Sequence, residues 1–508
     1  MGDASKPTRR QAQESVYEAD RIDPARGPVR LGSGVAGLDE VLCGGLPARK
    51  AYLVRGGPGT GKTTLGLHFL TAGSAHGDKS LFISLSESEP QVRANAAVSG
   101  FDLSGVEFLD LSPPPEYFSR IESYDIFAPA EVEREPITRQ IIERIETLRP
   151  DRVFVDALTQ FRYLASDEQQ FRRQVLSFMR FVVGQGCTML LSSEASSQAP
   201  DEDLQFLADG VINFRLAHSG RELWISKLRG SDFRSGRHAM RLSGQGVQVF
   251  PRVIPVEHGR EYPAELIGSG VTELDALLHG GLERGTITLV TGPSGAGKTT
   301  LGMQFMKQAA ERGERSVIYT FEEGLDTLFR RCQNIGIPAR GMVRRGQLSV
   351  VPVEGLRYSA DEFAGMVREE VEQRGARIVM IDSTAGYKIV IRGHDLVASL
   401  HALSRYLKNM GVTVILANDV EMITGVFRIT EIGVSYLADN IVFLRYLEVG
   451  SELRKAVGVL KKRSGDFEHS LRELRITTEG LQVGEPLRML QGIVSGEPDV
   501  ASPGDLRQ

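Results

Sequence analysis

The sequence predicts two tandem α/β domains, each a mostly parallel sheet with helices on both faces. A direct repeat is the first observation behind this. Residues 31–70, "LGSGVAGLDEVLCGGLPARKAYLVRGGPGTGKTTLGLHFL", lie over 267–306, "IGSGVTELDALLHGGLERGTITLVTGPSGAGKTTLGMQFM", without a gap and with 21 of 40 positions identical. The copies stand 236 residues apart, a whole-domain spacing, whereas solenoid repeats run at roughly 20–50 residues. Second, apolar, β-branched runs of strand length return in the same order in both copies, separated by helix-length segments, which is the pattern of a parallel sheet wound with helices. Third, 508 residues are too many for one ordinary core.

In chain order, residues 1–30 read as a polar lead-in without apolar residues enough for a core. The first domain, 31–253, places strands at "AYLVRG", "LFISL", "RVFVDA" and "TMLLSS", then a hairpin at "GVINFRL" and "ELWISKLR". Polar residues and prolines in "RVIPVEHGREYPAEL", 252–266, mark the seam. The second domain, 254–485, repeats the series as "ITLVTG", "VIYTF", "RIVMIDS" and "VTVILAN", with its hairpin at "NIVFLRY" and "AVGVLKKR". Residues 486–508 form a C-terminal loop and short tail.

Composition excludes several classes. No apolar run approaches the ~18 residues of a membrane span, and the N-terminus lacks the apolar core of a signal peptide. Cys43, Cys187 and Cys332 share no metal-like or disulfide-like spacing; they read as three reduced core thiols of a cytoplasmic protein. A net charge of −5 gives no broad basic field for nucleic acid.

Each copy carries G-x-x-x-x-G-K-[ST] directly after a strand. In such a loop, glycines let backbone N–H groups close around phosphates, the lysine reaches the β and γ oxygens, and the hydroxyl holds Mg²⁺. The candidate ATP-binding residues are Gly56, Gly59, Thr60, Gly61, Lys62, Thr63 and Thr64, and in the second copy Gly292, Gly295, Ala296, Gly297, Lys298, Thr299 and Thr300. A strand ending in Asp completes the Mg²⁺ site; Asp156 and Asp382 fit, beside Thr63 and Thr299. Hydrolysis also needs a carboxylate to orient water, and the end of the second strand can present one. There the copies diverge: "LSESE" supplies Ser86 and Glu87, whereas "FEEGL" supplies Glu322 and Glu323, with Glu87 aligned on Glu323.

Paired nucleotide loops, "SGVxxLDxxLxGGL" ahead of each, and the Glu pair on the second strand make the chain similar to the KaiC family of RecA-like, double-domain ATPases and autokinases of circadian clocks. The resemblance runs from about 31 to 498 and includes "WISKLRG", "VLKKRSG", "MITGVFRITEIGVSYLAD" and "LRMLQGIVSGEP". It implies tandem RecA-like folds and a homohexamer with ATP bound between subunits. A Lys and an Arg two residues apart would reach a neighbour's γ-phosphate; the matching positions are Lys227 and Arg229, then Lys461 and Arg463. It also implies serine/threonine-type autophosphorylation in the second domain, on Ser435 and its neighbour Tyr436, where a phenol departs from the family's hydroxyl pair. The first domain has Gln205 and Phe206 there. A KaiB-like partner at the first domain is implied, and the short tail argues against a KaiA-type activator. Two other readings stay open, an ATPase signalling scaffold without autokinase activity and a ring motor on DNA; the acidic "SSEASSQAPDEDL", 192–204, speaks against the motor.

Overall fold

Alternation of buried side chains across each strand builds both domains around a central sheet. In the computed structural model, described residues are 29–113, 129–165, 167–194, 203–217, 220–355, 357–393, 395–420, 436–449, 452–487, 490–491 and 499–500. Internal contacts divide the chain into two units, Met1–Pro251 and Arg252–Gln508.

The first unit holds β1 (Ala51–Gly56), β2 (Ser80–Ser84), β3 (Val106–Asp110), β4 (Arg152–Asp156), β5 (Thr188–Glu194), β6 (Gly210–Ala217), β7 (Gly220–Leu228), β8 (His238–Ser243) and β9 (Gly246–Phe250). Across the sheet they run β9-β8-β7-β6-β1-β5-β4-β2-β3. The six strands from β6 to β3 are parallel, and β7, β8 and β9 extend the sheet antiparallel. The second unit repeats the arrangement with β10 (Ile287–Gly292), β11 (Arg315–Thr320), β12 (Leu348–Pro352), β13 (Ala376–Asp382), β14 (Thr413–Asp419), β15 (Asn440–Val449), β16 (Glu452–Lys462), β17 (Arg472–Thr477) and β18 (Gly480–Pro486), in the order β18-β17-β16-β15-β10-β14-β13-β11-β12. These are tandem RecA-like α/β folds, as the sequence predicts.

Each sheet buries both faces, because successive side chains point opposite ways. Tyr52 and Val54 enter one core while Ala51 and Leu53 enter the other; Val290 and Leu289 are divided likewise. The first helix of each unit, α1 (Lys62–Ala75) and later α2 (Lys298–Glu311), starts inside the glycine-rich loop and lies against the sheet. Its approach is close: a Cβ at Gly66 would fall 2.2 Å from the Phe154 ring, and one at Gly302 would fall 2.4 Å from Met380 Sδ.

Several features differ from the sequence expectation. The edge strands β3 and β12 and the terminal hairpins β8–β9 and β17–β18 are additional; β3, "VEFLD", is half-exposed and interleaves acids, which hides its strand period. Cys187 and Cys332 are buried, but Cys43 is exposed, standing at φ 53° just past the short helix Leu38–Val41. Arg30, assigned to the lead-in, already belongs to the fold: Arg30–Leu31 pairs with Leu46–Pro47, and its guanidinium donates to the carbonyls of Leu42 and Gly45. Within the C-terminal segment, Asp499–Val500 pairs with Leu490–Gln491.

One irregularity recurs in both units. In the β6–β7 pair, Val211 faces Lys227 but Ile212 faces Ile225, leaving Ser226 as an extra residue. In β15–β16, Ile441 faces Lys461 but Val442 faces Val459, leaving Leu460 extra. Each is a β-bulge, which shifts the inward–outward alternation by one.

Candidate nucleotide sites

Both glycine-rich loops sit at the carboxyl end of the central strand, where open α/β sheets place ligands. Gly59, Gly61, Gly295 and Gly297 have φ of 67°, 106°, 75° and 116°, a region that glycine enters without a Cβ clash. Lys62 Nζ donates to the carbonyls of Gly56 and Gly57 at 2.8 and 3.0 Å; Lys298 Nζ donates to Gly292 and Pro293 at 2.9 and 3.0 Å. The lysines thus lie folded along their own loops. Thr60 Oγ1 donates to the Gly57 carbonyl at 2.8 Å, tightening the first loop, while Ala296 is fully buried and Thr300 is buried in the second. Thr64 follows Thr63 in the first turn of α1.

The hydroxyl and the strand-end acid meet in both units. Thr63 Oγ1 donates to Asp156 Oδ2 at 2.6 Å, and Thr299 Oγ1 to Asp382 Oδ2 at 2.7 Å. This pair of hard oxygen donors suits a small divalent cation that keeps several waters, so the residues present fit Mg²⁺. Their surroundings differ. Asp156 also accepts from Ser192 Oγ, whereas the register places Ala417 at that position of the second unit. Burial pushes the Asp382 carboxyl up, opposed by the Thr299 hydrogen bond and the charges of Arg331 and Lys298. Burial lowers the Lys62 ammonium, opposed by Asp156 and Glu194.

The second loop opens onto a cavity of about 710 Å³ lined by Lys298, Thr299, Glu322, Glu323, Arg331 and Asp382 among others. The two glutamates are anchored separately. Glu322 Oε1 accepts from Ser383 Oγ at 3.1 Å, and Glu323 Oε2 pairs with Arg331 Nη2 at 2.7 Å. Burial raises the Glu323 carboxyl despite the Arg331 charge. In the first unit Glu87 Oε2 accepts a longer bond, 3.4 Å, from Asn95 Nδ2.

The sequence reading missed five residues at three places. Glu194 and Asp419 close β5 and β14, in register with Gly56 and Gly292, and Asp419 pairs with Lys298 at 2.5 Å; an acid ending the fourth apolar run of each copy was the available signal. Arg221 and Lys455, from the antiparallel strands, donate to the carbonyls of Gly59 and Gly295 at 3.3 and 2.8 Å. Arg331 follows Glu323 by eight residues, two helical turns on, and carried no motif signal.

The K-x-R pairs do not meet their own unit's loop lysine. Lys227 Nζ donates to the carbonyls of Gln205 and Phe206 at 2.8 and 3.2 Å, and Arg229 pairs with Asp209 at 3.8 Å. Lys461 Nζ donates to Ala438 at 2.7 Å, and Arg463 to Asp439 at 3.3 Å. In both units the motif clasps the short turn ahead of the hairpin, at Gln205 and Phe206 in the first and at Ala438 and Asp439 in the second. Tyr436 on that turn is 57% exposed and Phe206, its counterpart, 68%; the Tyr436 ring stands edge-on to His401 at 5.8 Å. Ser435 lies outside the described residues, as do 421–434 and 114–128.

Comparison with known proteins accords with the duplicated fold. The family model "ATPase: KaiC" matches twice, over residues 31–254 and 267–488. The circadian clock oscillator protein KaiC of Picosynechococcus sp. is 27% identical over 488 residues, covering 93% of each chain. That of Synechococcus elongatus is 26% identical over 91% of each chain. The circadian clock protein KaiC3 of Synechocystis sp. is 26% identical over 92% of this chain and 94% of its own. No helix among the described residues is long and apolar enough to cross a membrane.

Proposed function

The chain belongs to the KaiC family, and from that premise we propose that it binds and hydrolyses ATP in its first unit and transfers the γ-phosphoryl to its own Ser435 in the second, within a homohexamer that serves clock or stress signalling. The observation that carries this reading is a contrast: the lysine, threonine and aspartate constellation occurs twice, but the second acid, Glu322, occurs once.

In the first unit Lys62, Thr63 and Asp156 hold MgATP and Glu87 orients the attacking water. In the second, Lys298, Thr299 and Asp382 hold MgATP. Bound there, Mg²⁺ would neutralise charge building on the phosphate oxygens. Glu322 takes the proton from Ser435 of a neighbouring subunit as Oγ attacks the γ-phosphorus; the bond to the β-bridging oxygen breaks, leaving phosphoserine and ADP. Lys227 and Arg229, and Lys461 and Arg463, act on a neighbour's γ-phosphate after releasing the carbonyls and carboxylates they hold in the single chain. Such a finger contributes ~10³–10⁵ in rate. Phosphoserine adds about −1.5 to −2 charge beside the clasped turn and so resets the interface. Tyr436, exposed on the same turn, is a second acceptor.

Phosphosite mass spectrometry after incubation with MgATP tests the autokinase. Phosphate at Ser435 is expected; its absence from 435 and 436 in a hydrolytically active hexamer leaves the signalling ATPase instead. Light scattering with ATP should give a ring near six subunits, and a monomer with and without ATP removes the trans finger.

A further inference from the structure

Two carboxylates at one phosphoryl-transfer site could compete for the same proton, and the second unit keeps them apart with residues that the first unit lacks. Glu322 is turned toward β13, where Ser383 Oγ donates to it at 3.1 Å. Glu323 is turned the other way, onto the helix Leu325–Asn334, where Arg331 grips it at 2.7 Å. The first unit has Ser86 for Glu322, Ala157 for Ser383 and Asn95 for Arg331, so its remaining acid, Glu87, keeps only a 3.4 Å amide contact. A guanidinium–carboxylate bond is charge-assisted and directional, roughly twice as strong as a neutral one. Glu87 can therefore turn toward a water in its site, and Glu323 cannot without breaking an ion pair.

We propose that Arg331 is a positioning residue that withholds Glu323 from water, leaving Glu322, oriented by Ser383, as the glutamate of the pair that faces the γ-phosphate and so favouring a hydroxyl acceptor over hydrolysis. This rests on the reading of the second unit as an ATP site. Arg331 lines the same cavity as Lys298 and Thr299, which raises a rival role as a direct phosphate ligand, and the two roles predict opposite kinetics.

The test uses the full-length chain with the first loop disabled by Lys62→Ala, so that phosphate release comes from the second unit. Adding Arg331→Asn, the first unit's residue, should raise kcat for phosphate release about tenfold, a modest fraction of a general base's usual effect, with KM for ATP little changed. Arg331→Lys should keep the low parental rate, and Arg331→Asn with Glu323→Gln should return to it. A raised KM with lowered kcat in Arg331→Asn would make Arg331 a phosphate ligand and overturn the proposal; so would an unchanged kcat, or a gain that survives Glu323→Gln. Phosphopeptide mapping of the Lys62→Ala parent separates the premises: no phosphate at 435 or 436 alongside an intact rise in Arg331→Asn removes the autokinase and leaves the Arg331 assignment standing.

Discussion

The two nucleotide sites hold their phosphate-binding parts almost identically and differ in what surrounds their carboxylates. Lysine-to-loop bonds are 2.8 and 3.0 Å in one unit, 2.9 and 3.0 Å in the other, and the threonine–aspartate bonds are 2.6 and 2.7 Å. Around this shared cradle, Asp156 receives a second hydroxyl bond from Ser192 while Asp382 does not, and one loosely held glutamate stands against two anchored ones. The duplication kept the lysine, threonine and aspartate geometry and varied the groups around the carboxylates.

The sharpest way to break that comparison is Lys298→Ala. Losing the lysine assigned to the β and γ oxygens under the proposed function should abolish phosphorylation at 435 and 436 while phosphate release by the first unit persists, both read in one incubation with MgATP. Equal loss of the two would mean that the units do not divide the work.

A medium effect concerns packing. Gly66→Ala and Gly302→Ala each gain about 1 kcal/mol of helix propensity, but the new methyl meets a rigid phenyl ring, Phe154, in the first unit and a flexible thioether, Met380, in the second. Overpacking against the ring should cost about 1–3 kcal/mol, whereas methionine yields readily. Thermal unfolding should therefore show a lowered transition in Gly66→Ala and little change in Gly302→Ala; the reverse order would refute the packing account.

The smallest effect is a pH dependence confined to one unit. His68 Nε2 accepts from the Val247 N–H at 2.9 Å, the ring stands edge-on to Phe101 at 4.7 Å, and Asp102 shares the open cavity beside it. Burial lowers the imidazole below its usual range, opposed by a backbone bond to Gly34. A histidine depressed in the folded state binds fewer protons there than when unfolded, so its stabilisation is complete above about pH 6.5 and falls as pH drops toward the folded value. The second unit has Gln304, which donates to Ser269 at 2.9 Å and does not titrate. His68→Gln should flatten the acid limb of the first unit's stability between pH 7 and 5, measured by denaturant unfolding; an unchanged limb would place the titration elsewhere.

Much of this architecture was legible in residue order. The repeat, the strand series and both Lys–Thr–Asp constellations follow from local patterns, because a strand, a glycine-rich turn and a helix start are each written in adjacent residues. What was not legible depends on contacts across the sheet. The half-exposed edge strands lack a clean period, and Glu194 and Asp419 join the sites only through register with Gly56 and Gly292. Arg331 becomes part of the second site only once the helix after Glu323 is folded back against it. The position of Cys43 depends on a local turn at positive φ, and no spacing rule reaches that.

The bulges at Ser226 and Leu460 matter for ancestry and tolerance to change. In β7 the buried residues run Leu223, Ile225, then Leu228; were Ser226 paired in regular alternation instead, Lys227 and Arg229 would fall on the face of Ile225. One surplus residue therefore works as a reading-frame shift in the pleat, turning a motif that would be insoluble in the interior outward. Because the same surplus stands at the same place in both halves, it is most simply inherited from the single-domain ancestor. Deleting Ser226 or Leu460 would therefore remove the irregularity and leave Lys227 and Lys461 on the faces they already occupy.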